Sequence, residues 1–455
     1  MQINFAYKLV NRSGIALLGI FYALPVSLYA STEITPRITA TQTLFSNTTI
    51  ASDENGQLTS ISPGFIYQIN QHKSQFLFDY TFNQERYTGL NIDKDEESHN
   101  LSMLYNITHI SDHWTSQVLS NIIRASVSSD GVQSFDSLIN ATNTKELRTS
   151  AVKTELTRDF QQIFSLNTQL LADYADFEDL ESTDSVGFKL FLDNKLSLKK
   201  LFWRTELSSI KTNSSVDSEQ LNSILVGLNY RFTTKYSAFI NSKVDDTSDD
   251  KLYEKATIVG LNWFLHRNSF INIGAGVRGS DNSYSLSSRF NRKRLELSVN
   301  YNETVTSSRN EVITQFADET GVINTFQSLN IIPVLQKKTD VKLLFTGKKS
   351  SLSVSYSSVR KIIEDTDSPE ENTKALNLSL SRKLSFKSSV EFKYQVQDSR
   401  SSEENEVTDF RFVYNRNMSK KMKLIAELIH STQDSNILEN EYDLKMFKIG
   451  ISTAF

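Results

Sequence analysis

Short segments in which apolar and polar residues alternate recur along most of the chain. The segment QFLFDYTF carries an aromatic side chain at every second position: Phe76, Phe78, Tyr80 and Phe82. The segments 223–232, 376–381 and 389–397 show the same alternation. Because successive side chains of a β-strand point to opposite faces, this period of two predicts strands with one apolar and one polar face.

The number of these segments indicates a large all-β structure. About 22 of them lie between Ile34 and Phe455, roughly one per 19 residues, which is typical of a large single-chain barrel. We therefore predict a single antiparallel, up-and-down transmembrane β-barrel of about 22 strands, within a range of about 16 to 22. Alternation alone does not decide this, since soluble antiparallel sheets can also have one apolar and one polar face.

The connections between the predicted strands are of two alternating kinds. One kind is short and basic, as in NRKR (291–294) and GKKS (347–350), and the other is longer and acidic, as in 89–98 and 363–372. Strict alternation puts each kind at its own end of an up-and-down barrel. Short periplasmic turns and long outer loops are typical of outer-membrane barrels, whereas a soluble sandwich has no reason to separate them. This pattern predicts an outer-membrane location, with outer-membrane lipid and lipopolysaccharide as partners.

The N-terminal residues have the pattern of an export signal. Two basic residues and no acidic one precede an apolar run at 13–24, Pro25 ends the run, and Ala30 supplies a small residue for cleavage. The run is too short for a transmembrane helix, which needs about 20 residues, so we expect a cleaved signal peptide over 1–30. The barrel domain is then expected over 31–455.

One segment fits neither a strand nor a simple loop. Residues 307–336 lack clear alternation, and they follow a strand that should run toward the outer end. The segment is either an extended outer hairpin or a stretch that folds back into the pore, and the sequence favours neither.

The composition argues against several function classes. The chain has no Cys, and residues 31–455 carry 47 Lys and Arg against 53 Asp and Glu, a net charge of −6 that is too small to favour nucleic acid. The six His residues lack the spacing of a metal site, and none belongs to a catalytic motif, although His99 and His430 could sit high in the barrel. We therefore expect no cofactor, no metal site and no enzymatic activity. No plug of the size used by energised siderophore transporters precedes the first predicted strand, so that class is not expected either.

If the apolar face contacts lipid, the charged residues of the polar face line the lumen. The predicted lumen-lining residues are Asp79, Lys153, Glu155, Lys189, Arg204, Glu206, Arg231, Arg278, Arg289, Glu296, Glu391, Lys393, Arg411 and Lys448. The two signs are nearly balanced. The charges therefore either pair across neighbouring strands and stiffen a wet wall, or they form a weakly selective hydrophilic passage.

The sequence ends on KMFKIGISTAF, an alternating segment whose final residue is Phe455. A strand that closes a barrel must pair with the first strand, so this segment fits the last strand. A terminal aromatic residue after alternating apolar residues looks like the signal that the outer-membrane barrel assembly machinery recognises. We expect Phe455 to act as the assembly signal and that machinery to be a partner.

The start of the predicted barrel resembles a known family. The stretch EITPRITATQTLFSNTTIA, the later Ser62, Pro63 and Gly64, and the aromatic strand after a short turn are similar to outer-membrane β-barrel proteins associated with PEP-CTERM/exosortase systems of Gram-negative bacteria. The segment LQKKTDVKLLFTGKKSSLSVSYS also resembles a strand–turn–strand of these proteins. The resemblance is one of short motifs and covers most of 31–455.

Members of that family are encoded with exopolysaccharide-export and protein-sorting genes. The resemblance therefore implies a hydrophilic conduit or an accessory barrel linked to such a system, with polysaccharide as a candidate partner. It implies no catalytic residues. A general non-specific porin and a structural outer-membrane barrel without transport remain alternatives.

Overall fold

The computed structural model describes residues 31–49, 53–89, 93–109, 113–126, 144–160, 163–177, 182–194, 200–214, 218–247, 253–306, 334–362, 370–400, 404–437 and 441–455. These residues form 22 strands: β1 (Ser31–Thr49), β2 (Asp53–Asn70), β3 (Ser74–Gly89), β4 (Asp93–Thr108), β5 (Trp114–Ser126), β6 (Thr144–Phe160), β7 (Phe164–Phe177), β8 (Thr183–Asn194), β9 (Leu201–Ser214), β10 (Ser218–Arg231), β11 (Tyr236–Thr247), β12 (Tyr253–His266), β13 (Ser269–Arg278), β14 (Asp281–Arg292), β15 (Leu295–Thr306), β16 (Val334–Thr346), β17 (Ser350–Ile362), β18 (Glu371–Lys383), β19 (Ser388–Arg400), β20 (Glu404–Asn417), β21 (Met422–Ser435) and β22 (Tyr442–Ala454). Within these ranges, no helix is long and apolar enough to cross a membrane.

The strands form one closed antiparallel barrel. Each strand pairs with the next along the chain, and β22 pairs with β1 from Arg37↔Ala454 to Thr49↔Tyr442. Closure removes the free edges that an open sheet would expose to lipid. The prediction of an all-β, up-and-down barrel of about 22 strands is confirmed.

The two ends of the barrel differ in their connections. At the end where β1 begins, called here the turn end, strands are joined by short turns such as 293–294 and 347–349. The opposite end, called the loop end, has connections that are shorter than the sequence predicts. Most of the predicted loop 89–98 is strand, because β3 runs to Gly89 and β4 begins at Asp93. Backbone pairing therefore continues through most of this acidic segment. Acidic side chains indicate contact with water, but they do not prevent a β-ladder from forming.

One connection at the loop end is a tight turn. Only Gly279 and Ser280 join β13 to β14. Gly279 has a φ of 55°, a backbone conformation that glycine adopts without strain and that two-residue hairpins require. At this hairpin, the predicted alternation of short basic and long acidic connections is therefore wrong.

Two sequence-based predictions fall largely outside the described residues. The predicted signal peptide, 1–30, lies outside them, as does most of the segment 307–336. The end of that segment is described from Val334 onward, and it belongs to β16 rather than to a loop.

One face of the wall carries exposed apolar side chains and forms the outer surface of the barrel. Leu261 and Val186 are 63% and 62% exposed, an unusual state for large apolar residues unless lipid covers them. Aromatic rings of this face cluster near the turn end, where the centroids of Tyr236 and Trp263 lie 6.1 Å apart. An apolar outer band with aromatic residues at its border is typical of a barrel in a membrane.

The opposite face points into the barrel and is most buried in its loop half. Leu147 and Leu444 on this inner face are 0% and 1% exposed. On β11, the ring of Phe239 lies across glycines of the next two strands, since a Cβ built at Gly260 or Gly274 would meet it. Glycine at these positions lets the ring rest directly on the neighbouring backbone.

Candidate functional site: the inner wall

The predicted lumen-lining residues alternate with outward apolar residues and therefore share the opposite face of the wall. Lys393 of β19 shows the pattern: it is in register with Ser379 on one side and Arg411 on the other. Its neighbours along the strand, Phe392 and Tyr394, point to the outer face. Whether a solute passes these inner side chains stays a prediction.

Most of these charges in the turn half are paired with an opposite charge. The N–O distances are 3.2 Å for Lys153–Glu155, 2.7 Å for Arg289–Glu296 and 3.3 Å for Lys393–Glu391. Arg204 similarly lies 3.7 Å from Asp193 and 3.8 Å from Glu206. The groups are partly exposed, so each pair contributes only about 0–1 kcal/mol to stability. Their main effect is to cancel the charge of the wall locally.

Arg37 of β1 is a further inner cation, outside the predicted lumen-lining set. Its guanidinium donates hydrogen bonds to the carboxylate of Asp79 and the hydroxyl of Thr81, two strands away. Gly64 of β2 stands in register between Arg37 and Thr81, so the guanidinium reaches β3 across a residue without a side chain. Since Ile38 is exposed on the outer face, the alternation within β1 could have assigned Arg37 to the inner face.

Three of the predicted cations, Arg231, Lys448 and Lys189, belong to none of the close ion pairs in the described part of the chain. Arg231 lies over the ring of Phe202, with 5.1 Å between the guanidinium carbon and the ring centroid. Lys448 is in register with Glu427 on β21, and Lys189 is partly exposed on β8. These side chains can therefore face water in the lumen.

A row of amide side chains crosses neighbouring strands near the turn end. Gln75, Asn106, Gln117 and Lys153 stand in register on β3, β4, β5 and β6. Together with Glu155, they contribute to the lining of a recess of about 540 Å³. Because an amide both donates and accepts hydrogen bonds, this row can bind hydroxyl groups without requiring a charge on the solute.

The loop half holds a buried charged cluster on β12, β13 and β15. Arg278 donates a hydrogen bond of 2.6 Å to Glu254 and one of 3.2 Å to the backbone carbonyl of Glu303. Glu303 accepts hydrogen bonds from Ser283 at 2.5 Å and from Tyr301 at 2.6 Å. Arg278 belongs to the predicted lumen-lining residues but neither acid does, because alternation gives the face of a residue and not its partner.

A second cluster in the loop half lies where the last strands meet β1. Ile429, Leu444 and Met446 are buried on the inner face and pack with Phe45 of β1. Arg411 donates a hydrogen bond of 2.9 Å to Glu427. Glu427 lies on β21, two residues from Ile429 toward the turn end. In this part of the inner wall, side chains pack against one another and are little exposed to water.

The two histidines that could sit high in the barrel lie on its outer face. His99 bonds to the hydroxyl of Tyr80 at 2.8 Å, and His430 bonds to Asp443 at 2.8 Å. Across the described ranges, no three His, Asp or Glu side chains are arranged to hold a metal ion.

Comparison with known proteins gives a structural match without a sequence match. No protein-family model matches the chain, and no curated protein matches it. The siderophore receptor PirA from Acinetobacter baumannii superposes with a TM-score of 0.52 at 9% identity, over 92% of this chain and 80% of that one. The FrpB iron transporter from Neisseria meningitidis (F3-3 variant) superposes with a TM-score of 0.51 at 8% identity, over 93% and 81%.

At these identities the likeness shows the fold alone. The two neighbours are a siderophore receptor and an iron transporter. A closed wall of 22 strands, an apolar outer surface and the likeness to these barrels lead to the same conclusion. This chain is a β-barrel of the bacterial outer membrane.

Proposed function

We propose that this barrel is a hydrophilic passage for neutral, hydroxyl-rich solutes, and that its natural solute is a carbohydrate chain. The observation that carries the proposal is the row of Gln75, Asn106 and Gln117 beside Lys153. In an outer-membrane barrel the short turns face the periplasm, so the recess lies where a solute from that side would enter.

The paired charges favour a neutral solute over an ion. A channel that selects one sign of charge presents an excess of the opposite sign along its wall. Here Lys153, Arg289 and Lys393 each have a carboxylate oxygen within 3.3 Å. The wall is therefore polar while its local charges largely cancel.

The resemblance to barrels of PEP-CTERM/exosortase systems suggests which carbohydrate this is. Those proteins are encoded with exopolysaccharide-export genes, so the proposed solute is an exopolysaccharide chain. Lipopolysaccharide and the barrel assembly machinery are the partners that residence in the outer membrane implies. The likeness to siderophore receptors concerns the fold and supplies no ligand for this barrel.

Single-channel recording in planar bilayers tests the passage. We expect ohmic conductance with weak ion selectivity, and a transient block when maltohexaose is added on the turn side. Replacing two amides of the row, by Asn106→Leu with Gln117→Leu, should weaken the block several-fold while the open conductance changes little. The reason is that these side chains bind hydroxyl groups and carry no charge.

A matched control is Asn300→Leu. Asn300 is an inner amide on β15, hydrogen-bonded to Ser287 at 2.9 Å and far from the row. Its replacement should leave the block unchanged. Strong selectivity for one ion sign, or a block that does not depend on the amide row, would contradict the proposal.

A second candidate is a structural accessory barrel. The observation that favours it is the burial of the inner face in the loop half, where Leu147 and Gln433 are 0% and 1% exposed. A barrel closed at this level would be silent in bilayers. Silence of the intact protein, together with loss of polymer export in a deletion strain, would support this candidate against the passage.

A further inference from the structure

The ladder between β14 and β15 covers only part of the height of the wall. It has seven backbone pairs, from Arg292↔Leu295 to Leu286↔Tyr301. Beyond them, 281–285 pair with β13 and 302–306 pair with β16, but the two segments do not continue the ladder between them. At about 3.3 Å per residue and a tilt of about 35–45°, seven pairs span about 16–19 Å of an apolar band of about 25 Å. The ladder therefore ends in the loop half of the wall, and the gap beyond it is called here the split.

The carboxylate of Glu303 fills this split. One of its oxygens accepts a hydrogen bond from Ser283, on the inner face, and the other accepts one from Tyr301, on the outer face. The side chain of Glu303 is 3% exposed, so it lies within the wall. A cavity of about 230 Å³ adjoins it, and Arg278 and Lys337 contribute to its lining.

The polar side chains explain how such a split can exist in a membrane. Unpaired backbone groups are unfavourable in hydrocarbon, so polar groups must fill a gap at this depth. Opening the split requires breaking side-chain contacts of Glu303, whereas opening a complete ladder would break backbone hydrogen bonds along a whole strand. The buried Nε of Arg278 makes no hydrogen bond within the described structure, and its contact with Glu303 is 3.9 Å long. Lys337, which also lines the cavity, carries an ammonium donor for an incoming polar group.

We infer that the β14–β15 split is a lateral portal between the lumen and the outer leaflet, and that its ligand is an amphiphile with a hydroxylated head and an alkyl tail. The head binds the polar groups of the cavity. The tail stays outside, where Val277 and Tyr284 are 53% and 51% exposed beside the split. The choice of a hydroxylated head rests on the proposed carbohydrate passage, while the portal itself rests on the ladder and the cavity.

A fluorescent reporter tests the portal, because the native chain has no Cys. Thr304→Cys places a reporter beside the split, and Asn300→Cys places one on the same strand within the paired ladder. In proteoliposomes, dodecyl maltoside with a brominated alkyl chain should quench the first reporter and not the second. Glu303→Ala should increase quenching at the first reporter at least twofold, because both hydrogen bonds that fill the split are lost.

The matched control is Glu296→Ala, which removes a carboxylate from the same strand but within the paired ladder. Glu296 is 2.7 Å from Arg289, and its loss should not change the quenching. Glu303→Gln keeps the shape of the side chain, so this variant should fold even where Glu303→Ala does not. It should give an intermediate increase in quenching at the first reporter. Equal quenching at both reporters in the native protein and in Glu303→Gln would overturn the portal. Quenching needs no solute flow along the lumen. A barrel without conductance in bilayers would therefore contradict the proposed carbohydrate passage but would not affect the test of the portal.

Discussion

Lys393 and Arg411 stand directly opposite each other on β19 and β20, two like charges in register on the inner face. Each has its own carboxylate: Glu391 lies 3.3 Å from Lys393, and Glu427 lies 2.9 Å from Arg411. Like charges directly opposite destabilise a sheet. The two acids therefore stabilise this part of the wall, because they screen the repulsion between Lys393 and Arg411.

We predict that Glu427→Gln lowers the free energy of unfolding by about 1–3 kcal/mol. The side chain of Glu427 is 9% exposed, so its loss leaves Arg411 without its partner and opposite Lys393. Urea unfolding of the protein in lipid vesicles measures the change. Glu391→Gln is the control, since a carboxylate that is 33% exposed should contribute less than about 1 kcal/mol. Adding Lys393→Gln to Glu427→Gln should restore part of the lost stability, and no recovery would contradict the explanation.

The direction of the side chains on β19 predicts a large difference between adjacent substitutions. Phe392 packs on Phe410 of the next strand, with ring centroids 5.0 Å apart on the outer face. A charge near the bilayer midplane costs about 2–4 kcal/mol, so Phe392→Arg should lower the free energy of unfolding by that amount. Glu391→Ala, on the inner face, should change it by less than about 1 kcal/mol.

Cysteine labelling checks the same faces in the folded barrel. A water-soluble thiol reagent should react with single cysteines on the inner face: Glu391→Cys, Lys393→Cys and Arg411→Cys. Only a lipid-soluble reagent should react with those on the outer face: Phe392→Cys, Tyr394→Cys and Phe412→Cys. The opposite labelling would mean that the two faces are exchanged, since a register shift of one residue moves a whole strand to its other face.

Gly260 is a position where even a methyl side chain should disturb the packing of the wall. A Cβ at this residue would meet both the carbonyl of Ile273 and the ring of Phe239. Gly260→Ala should lower the free energy of unfolding by about 1–3 kcal/mol, and its thermal unfolding temperature should fall. Removing the ring as well, with Phe239→Ala, should make the glycine substitution less harmful. Equal costs of Gly260→Ala with and without the ring would show that the ring is not the obstacle.

The strand number and the facing of side chains could be predicted from the sequence because alternation is a local property of each strand. The partner of each side chain could not be predicted, because it depends on which residues the neighbouring strands bring close. Arg37 of β1, for example, reaches Asp79 of β3 across the intervening strand. The sequence does not predict where the β14–β15 ladder ends, for the same reason: the contacts of Glu303 come from more than one strand. The acidic stretches predict loops, but most of 89–98 is strand, since charge indicates contact with water and not the absence of backbone pairing.

Phe455 lies at the turn end beside the first strand. Its backbone N–H donates a hydrogen bond of 2.9 Å to the carbonyl of Pro36. The side chain is 65% exposed, so the ring contributes little to the stability of the finished barrel. The assembly role of this ring stays a prediction, and its exposure makes the role testable separately from stability.

We predict that Phe455→Ala lowers the amount of folded protein in the outer membrane several-fold, while the free energy of unfolding changes by no more than about 0.5 kcal/mol. Alanine keeps the backbone hydrogen bond to Pro36, so only the ring is tested. Phe386→Ala is the matched control, because Phe386 is 90% exposed in a connection at the same end of the barrel. Quantifying each variant in outer-membrane fractions and unfolding the purified proteins separates assembly from stability. Equal amounts of the two variants in the membrane would show that Phe455 is an ordinary exposed aromatic residue, since loss of a surface ring at the turn end then has the same effect wherever it lies.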